Sequence, residues 1–173
     1  MLVFYFLELA IRLHTATPYT VDLLSAYEHV EAAHVAATDK VSPTLLLAIA
    51  FVESRYDVTA TSRVEGGVRL TGRYASTVPP ANLDYHQSLF CGPLQTFAGS
   101  WGECMAMRRL ARGYAAGAAE MSQWLRDSRV RGEYAKALAG HGCGNLGVET
   151  GNCNGYQGRV LWMERWIRLG NGQ

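Results

Sequence analysis

The spacing of apolar positions predicts a mostly helical chain. Apolar residues recur at three- and four-residue steps over residues 21–37, which places them on one face of a helix. Ser42 and Pro43 then supply a helix N-cap and a proline at the first helical position. The segment 43–54 is apolar nearly all round, so it predicts a buried central helix.

The helical period is lost between about residues 55 and 90. Threonine, serine, glycine and proline give turn signals there, and residues 67–71 alternate as a short strand does. Helical patterns return in four segments, over about 100–112, 114–127, 133–140 and 156–169. We therefore expect one mostly α domain over residues 1–173, with a small irregular or β insert beside a cleft.

The first 13 residues are strongly apolar but too short to span a bilayer. Glu8 and Arg12 interrupt them and lie four residues apart, on one helical face. A basic leader region and a small-residue cleavage site are both missing, which disfavours a signal peptide. The pattern favours an amphipathic helix packed on the core over a targeting or membrane segment, and we expect no stable membrane insertion.

Composition and charge narrow the class of protein. A chain of 173 residues is long enough for one sizeable core, and 49% hydrophobic with 18% charged residues predicts a folded globule. The formal net charge of +1 gives no support for a nucleic-acid binder. It leaves room for a polyanionic substrate, because a local basic cleft can be hidden in a neutral total.

The four cysteines leave two alternatives open. Cys91 and Cys104 flank one turn-like segment, and Cys143 and Cys153 flank another. Two local disulfides would suit an enzyme that works outside the cytoplasm, whereas four buried thiols would suit a cytoplasmic chain, and pairing cannot be deduced from spacing. A zinc site around His141 and its neighbouring cysteines lacks a fourth ligand, so we expect neither a metal nor a cofactor.

Glu53, at the end of the apolar helix, is the first candidate for chemistry. A carboxylate there either solvates the helix end or is held as an acid in a partly apolar cleft. Ser54 follows it, and then come Gly92-Pro93-Leu94-Gln95, a small-residue segment around His141, and Tyr156-x-x-Arg159-Val160. This order resembles the catalytic domain of lytic transglycosylases, lysozyme-like enzymes that cut bacterial peptidoglycan and are related to goose-type lysozymes.

The resemblance implies a lysozyme-like fold, with N-terminal helices in residues 1–40 and a transglycosylase-like core over 43–169. It makes Glu53 the general acid/base, Ser54 a supporting hydroxyl, and Tyr156 a hydroxyl that orients the acid. In that family the substrate's own N-acetyl group assists, and the glutamate later removes the proton of the 6-hydroxyl to give a 1,6-anhydro product. Such an acid must hold a proton at working pH, which desolvation favours.

The same resemblance suggests substrate contacts. Gly92, Leu94 and Gln95 stand in the place of the family's Gly-Leu-Met-Gln segment. Gly92 would let the backbone approach a sugar, and Gln95 would offer a donor and an acceptor, unless it is an ordinary helix-start amide. Tyr85 and Phe97 flank this segment and are candidates for stacking on sugar rings.

Two of the matches carry alternatives. The family often has Ala-Tyr-Asn-x-Gly where this chain has Gly140-His141-Gly142, so His141 either contacts glycan or caps a helix end. Tyr156 either orients the acid or packs as a helix-start aromatic on Trp162 or Trp166.

Three functions compete. A lytic transglycosylase is the first, acting on peptidoglycan glycan strands as a monomer, in the periplasm or cell wall or in a phage lysis or virion system. A hydrolytic goose-type lysozyme is the second, and it would use a further carboxylate, for which Asp57, Glu65 and Asp84 are candidates. A non-catalytic glycan-binding module is the third.

Overall fold

The computed structural model describes residues 2–16, 21–65, 68–71 and 88–169, and within these ranges it is mostly helical with one small antiparallel sheet. The helices are α1 (Leu2–Ala16), α2 (Leu23–Ala36), α3 (Pro43–Ser54), α4 (Trp101–Met107), α5 (Leu110–Arg126), α6 (Tyr134–Thr150) and α7 (Tyr156–Leu169). The strands are β1 (Thr61–Glu65), β2 (Val68–Thr71), β3 (Ser88–Cys91) and β4 (Thr96–Ala98). The predicted mostly α class is confirmed.

Helix α3 lies at the centre of the core. The backbone N–H of Leu45 donates to Ser42 Oγ at 3.1 Å, and Pro43 opens the helix, as the sequence predicted. Every residue from Thr44 to Ala50 is buried, and the helix packs mainly against α7 and α2. A helix that is apolar all round can be stable only in such surroundings.

The N-terminal helix α1 packs on the same core. It buries Leu9, Ala10 and Leu13 and pairs Arg12 with Glu8 on its outer side. An arginine N–H of Arg12 also donates to the Arg168 carbonyl oxygen at 3.0 Å, which ties α1 to α7. The prediction of a helix packed on the core is confirmed, but the outer side of this helix is not polar throughout, because Phe4, Tyr5, Leu7 and Ile11 are exposed. None of the helices in the described ranges is both long and apolar enough to cross a membrane.

Two helix boundaries differ from the predictions. The helix expected over 100–112 is divided into α4 and the start of α5, because the chain turns at Arg108 and Arg109. The helix expected over 133–140 extends to Thr150, with a kink at Gly144 (φ 61°, ψ −145°). Its glycine-rich second half carries no apolar period, so the spacing of apolar residues could not reveal it.

The sheet has the strand order β2-β1-β3-β4, with all neighbours antiparallel. Thr61 stands opposite Cys91, and Leu89 stands opposite Ala98. Strand β2 confirms the strand expected over 67–71, whereas the other three strands were not predicted. Buried Leu89, Cys91 and Ala98 pack with Cys104 of α4, so this helix and the sheet form one small satellite core.

All four cysteines are paired. Cys91–Cys104 joins β3 to α4, and Cys143–Cys153 joins α6 to the turn before α7. The structure therefore selects the two local disulfides from the alternatives that the sequence left open. It also removes the thiolates of Cys143 and Cys153 as zinc ligands.

Replacement of Cys143 and Cys153 by serine is expected to lower the free energy of unfolding by about 2–3 kcal/mol, because their bridge closes a 10-residue loop in the unfolded chain. Urea denaturation of the oxidised protein and of the double variant measures the loss. Thiol labelling in urea without reductant is the control and should find no reactive group. Four labelled thiols would contradict the pairing.

Candidate active site

Glu53 leaves the core on the last turn of α3. The helix ends because Arg55 and Tyr56 both adopt left-handed backbone conformations, with φ of 57° and 66°. Their amides donate to the Phe51 and Ala50 carbonyl oxygens at 3.1 and 3.4 Å. The Glu53 side chain keeps 9% of its surface exposed, so the carboxyl group lies at a partly apolar boundary between core and solvent.

This carboxyl group faces a cleft of about 390 Å³, between the end of α3, the strands β3 and β4, and the helices α5 and α6. The lining residues are Glu53, Phe90, Gln95, Phe97, Glu120, Trp124 and Gly140 to Gly144. Four residues that the sequence singled out therefore meet in one cleft: Glu53, Gln95, Phe97 and His141. Phe97 is 53% exposed and lies 6.1 Å from Phe90 between ring centroids, so an aromatic surface borders the acid.

His141 connects two carboxyl groups at the base of this cleft. Its side chain is only 1% exposed. The Nδ1 atom lies 3.0 Å from Glu120 Oε1, and the Nε2 atom lies 3.2 Å from the Leu94 carbonyl oxygen and 3.9 Å from Glu53 Oε1. A carbonyl and an ionised carboxylate only accept hydrogen bonds, so with Glu120 ionised both ring nitrogens donate and the ring is an imidazolium. A neutral ring satisfies the same contacts only if Glu120 holds the shared proton.

The electrostatics agree with this assignment. Burial alone would lower the pKa of His141, but attraction and hydrogen bonding to Glu120, with smaller contributions from Glu53 and Leu94, raise the pKa to about 9. Burial would raise the pKa of Glu120, yet the charge and hydrogen bond of His141 lower it overall. The pair is therefore ionised at neutral pH.

These contacts revise the expected role of His141. The sequence suggested a glycan contact or a helix cap. The buried ring has both nitrogens directed at protein oxygens, so it offers no donor to a sugar. His141 lies three residues before the kink of α6 at Gly144, and its ring contacts Glu120 and Leu94 rather than the backbone of α6. The structure makes it the link between Glu53 and Glu120.

Gln95 is held inside the protein as well. Its amide oxygen accepts from Ser62 Oγ at 2.9 Å, and its nitrogen donates to the Ala60 and Gly92 carbonyl oxygens, each at 3.0 Å. Both amide hydrogens are thereby used. The side chain braces the turn between β3 and β4 against β1, and only the second lone pair of its oxygen is left for a ligand.

Gly92 and Leu94 have structural reasons of their own. Gly92 has φ 76°, and a Cβ placed on it would lie 2.3 Å from the Met107 carbonyl oxygen. The Leu94 side chain is fully buried, and a Cβ on Gly117 would lie 2.2 Å from its Cδ2 atom. Contacts within the protein are therefore enough to account for Gly92 and Leu94, with no need for a bound sugar. The predicted role of the Leu94 side chain in substrate binding disagrees with its burial.

Ser54 and Tyr156 lie close to the acid in different ways. The Ser54 hydroxyl is 2.8 Å from the Pro93 carbonyl oxygen and 3.0 Å from that of Ala50, so it ties the end of α3 to the following turn. Tyr156 is buried at the start of α7, and its ring centroid lies 6.2 Å from that of His141. Its orienting role toward Glu53 stays a prediction. Tyr85 lies outside the described residues.

The sequence reasoning missed Glu120, and it ranked Trp124 below Tyr85 and Phe97 as an aromatic residue for stacking on sugar rings. Glu120 and Trp124 lie four residues apart on α5, and Trp124 Nε1 donates to Glu120 Oε1 at 3.4 Å. No motif marks either residue, and their i, i+4 spacing was the one available signal.

The carboxylates that the sequence offered as a second acid do not take the place of Glu120 in the cleft. Asp57 is exposed and accepts from the Thr59 backbone and hydroxyl at 2.8 and 2.7 Å, whereas the Glu65 side chain and Asp84 lie outside the described part.

In the ranges that the structure covers, no group of three or more histidine, cysteine, aspartate or glutamate side chains is arranged to hold a metal ion.

Comparison of the chain with protein-family models, curated proteins and solved structures finds no match. The resemblance to lytic transglycosylases therefore stays a prediction from the motifs.

The ion pair predicts a specific pH dependence of stability. The pKa of His141 is raised from 6.5 to about 9, so its contribution is complete below pH 6.5 and is lost as the pH rises through about 9. The pKa of Glu120 is lowered from 4.5, so its contribution is lost on acidification below that value. The free energy of unfolding of the wild type, minus that of the Glu120→Gln/His141→Gln variant, should therefore be largest between pH 4.5 and 6.5.

Urea denaturation of both proteins across the pH range measures this difference, in which the pH effects of groups remote from the pair cancel. We expect the difference to fall by about 3 kcal/mol between pH 6.5 and about 10, on the order of the shift in the pKa of His141. A constant difference over that range would show that the pair is not ionised as its contacts require.

Gly92→Ala is expected to lower the free energy of unfolding by more than about 1 kcal/mol, since it combines an unfavourable φ with a clash against Met107. Gly158→Ala on α7 is the matched control, because nothing lies within 4 Å of its Cβ position, and it should be neutral or slightly stabilising. If Gly92→Ala instead kept its stability and lost affinity for glycan, the sugar-approach role would be correct.

Proposed function

We propose that this chain is a peptidoglycan lytic transglycosylase with a lysozyme-like fold, in which Glu53 is the general acid/base. One observation carries the proposal: the carboxyl group of Glu53 emerges from a buried helix into an aromatic-bordered cleft beside a small sheet. The motif order in the sequence supports the same conclusion. The cleft unites the acid with Gln95 and His141 from that order and with Phe97, which flanks one of its segments.

The reaction uses this carboxyl group twice. Glu53 first gives its proton to the glycosidic oxygen between MurNAc and GlcNAc, while the N-acetyl oxygen of MurNAc attacks the anomeric carbon. The resulting carboxylate then takes the proton of the MurNAc 6-hydroxyl, whose oxygen displaces the N-acetyl oxygen and forms the 1,6-anhydro ring. No water is consumed. Phe90, Phe97 and Trp124 offer aromatic faces along which sugar rings stack.

A second candidate is a hydrolytic muramidase, and Glu120 is the observation that favours it. Glu120 is a second carboxylate in the same cleft, and its charge is maintained by His141. In a hydrolase it would place the attacking water. Its Oε1 atom already accepts from His141 and Trp124, so such a water would have to be held by Oε2.

The two disulfides are compatible with an oxidising compartment such as the periplasm or the cell surface. Peptidoglycan lies in that compartment, which supports glycan strands as the substrate.

Mass spectrometry of the soluble products from purified peptidoglycan tests the proposal. Wild type should release anhydro-muropeptides, and Glu53→Gln should lower their rate of release at least 100-fold, the order of effect expected for loss of a general acid. Glu31→Gln is the matched control, because it removes an exposed carboxylate of α2 and should leave the rate unchanged.

Each other result has a defined meaning. Reducing-end muropeptides that are lost in Glu53→Gln would identify a hydrolase and direct attention to Glu120. Binding of peptidoglycan without any cleavage by wild type would identify a glycan-binding module. Unchanged cleavage by Glu53→Gln would overturn the assignment of the acid.

A further inference from the structure

We propose that Glu120 and His141 are positioning residues for Glu53: a buried ion pair that keeps a fixed positive charge beside the acid and stabilises the carboxylate formed when its proton leaves. This inference rests on the proposed function, since it assigns to the pair an effect on the same acid. It concerns residues that do not themselves react with the sugar.

The first argument is the geometry of the ring. Three oxygen atoms surround the imidazole of His141, namely Glu120 Oε1 at 3.0 Å, the Leu94 carbonyl oxygen at 3.2 Å and Glu53 Oε1 at 3.9 Å. The contact with Leu94 requires a proton on Nε2, and the contact with an ionised Glu120 requires one on Nδ1. The Nε2 side, which carries the second proton, is the side that faces Glu53.

The second argument is electrostatic. Glu53 lies at the C-terminal end of α3, where the helix dipole opposes a negative charge. His141 supplies a positive charge on the other side of the carboxyl group. Because its side chain is 1% exposed and that of Glu53 is 9% exposed, water screens their interaction weakly. The positive charge stabilises the Glu53 carboxylate both before and during proton transfer, so it raises the rate only in so far as burial and the helix dipole keep the proton on Glu53 in the free enzyme.

The third argument is that neighbouring residues hold the pair rigidly. Trp124 donates to Glu120 from one turn further along α5 and also packs over Gly140, where an added Cβ would lie 2.9 Å from the indole ring. Tyr156 packs beside His141, with 6.2 Å between ring centroids. The ring of His141 therefore keeps one orientation while the substrate reacts, which is what preorganised stabilisation needs.

Protons balance without transfer to the pair. The proton of Glu53 moves to the glycosidic oxygen, and the proton of the 6-hydroxyl later returns to Glu53. His141 keeps both of its protons and Glu120 stays ionised throughout. The two residues thus act through Glu53, which distinguishes them from catalytic residues.

A double-mutant cycle on the full chain tests this role. Glu120→Gln/His141→Gln removes both charges together, so that neither is left buried without its partner. We expect kcat for release of anhydro-muropeptides to fall about 10- to 100-fold and KM to change less than about twofold, since the lost interaction develops with the transition state. In a Glu53→Gln background the same two substitutions should cause no further loss, because no charge develops there to be stabilised.

Glu120→Asp is the conservative variant and should recover part of the rate by keeping the charge. Equal losses with and without Glu53, or an unchanged kcat, would overturn the inference. If a variant does not fold, ¹⁵N NMR spectra of the imidazole groups in the wild-type protein test the inference instead. They should show both ring nitrogens of His141 protonated at pH 7.5. A neutral ring there would also overturn it.

The same measurements distinguish a failure of the proposed function from a failure of this inference. If Glu53→Gln cleaves as well as wild type, or if wild type forms no product, the acid is wrong and the positioning role is lost with it. If Glu53→Gln is inactive while the double variant keeps its full kcat, the acid stands and only the present inference is overturned.

Discussion

The all-round burial of α3 is the constraint on which the rest of the structure depends. A helix with no solvent-facing side can carry polar groups only at its two ends. At its beginning, Glu164 accepts from the Ser42 and Thr44 hydroxyls at 3.1 and 3.2 Å, near the positive end of the helix dipole. At its other end stands Glu53, near the negative end. The two carboxylates therefore need different surroundings, and Glu53 has the positively charged ring of His141 beside it.

A buried ion pair is expensive to desolvate, and it is weak support for stability by itself. The Glu120–His141 pair nevertheless lies beside an open cleft. Residue 140 is a glycine, and the space that its missing side chain leaves is occupied by the Trp124 ring. Perturbed ionisable groups concentrate at functional sites. The pair is better explained by the acid beside it than by the core beneath it.

Local signals in the sequence predicted the parts of this fold that local interactions form. The N-cap and proline of α3, the interrupted apolar run of α1 and the position of Glu53 were all readable, because each depends on neighbouring residues. Three of the four strands were not, since β3 pairs with β1 across a long segment of chain and β4 has only three residues. Glu120 could not be found for a related reason: its partner His141 is 21 residues away and only the packing of α5 against α6 brings them together. For Gly92, Leu94 and Gln95, the segment was recognised, but the residues satisfy contacts within the protein.

Gly142 shows how tightly the Cys143–Cys153 bridge and Tyr156 close around α6. A Cβ at this position would lie 2.9 Å from both the Cys153 sulfur and the Tyr156 ring. Any larger side chain here would have to displace the sulfur, the aromatic ring or both. The disulfide and the ring that packs beside His141 therefore occupy space that only a residue without a side chain leaves open.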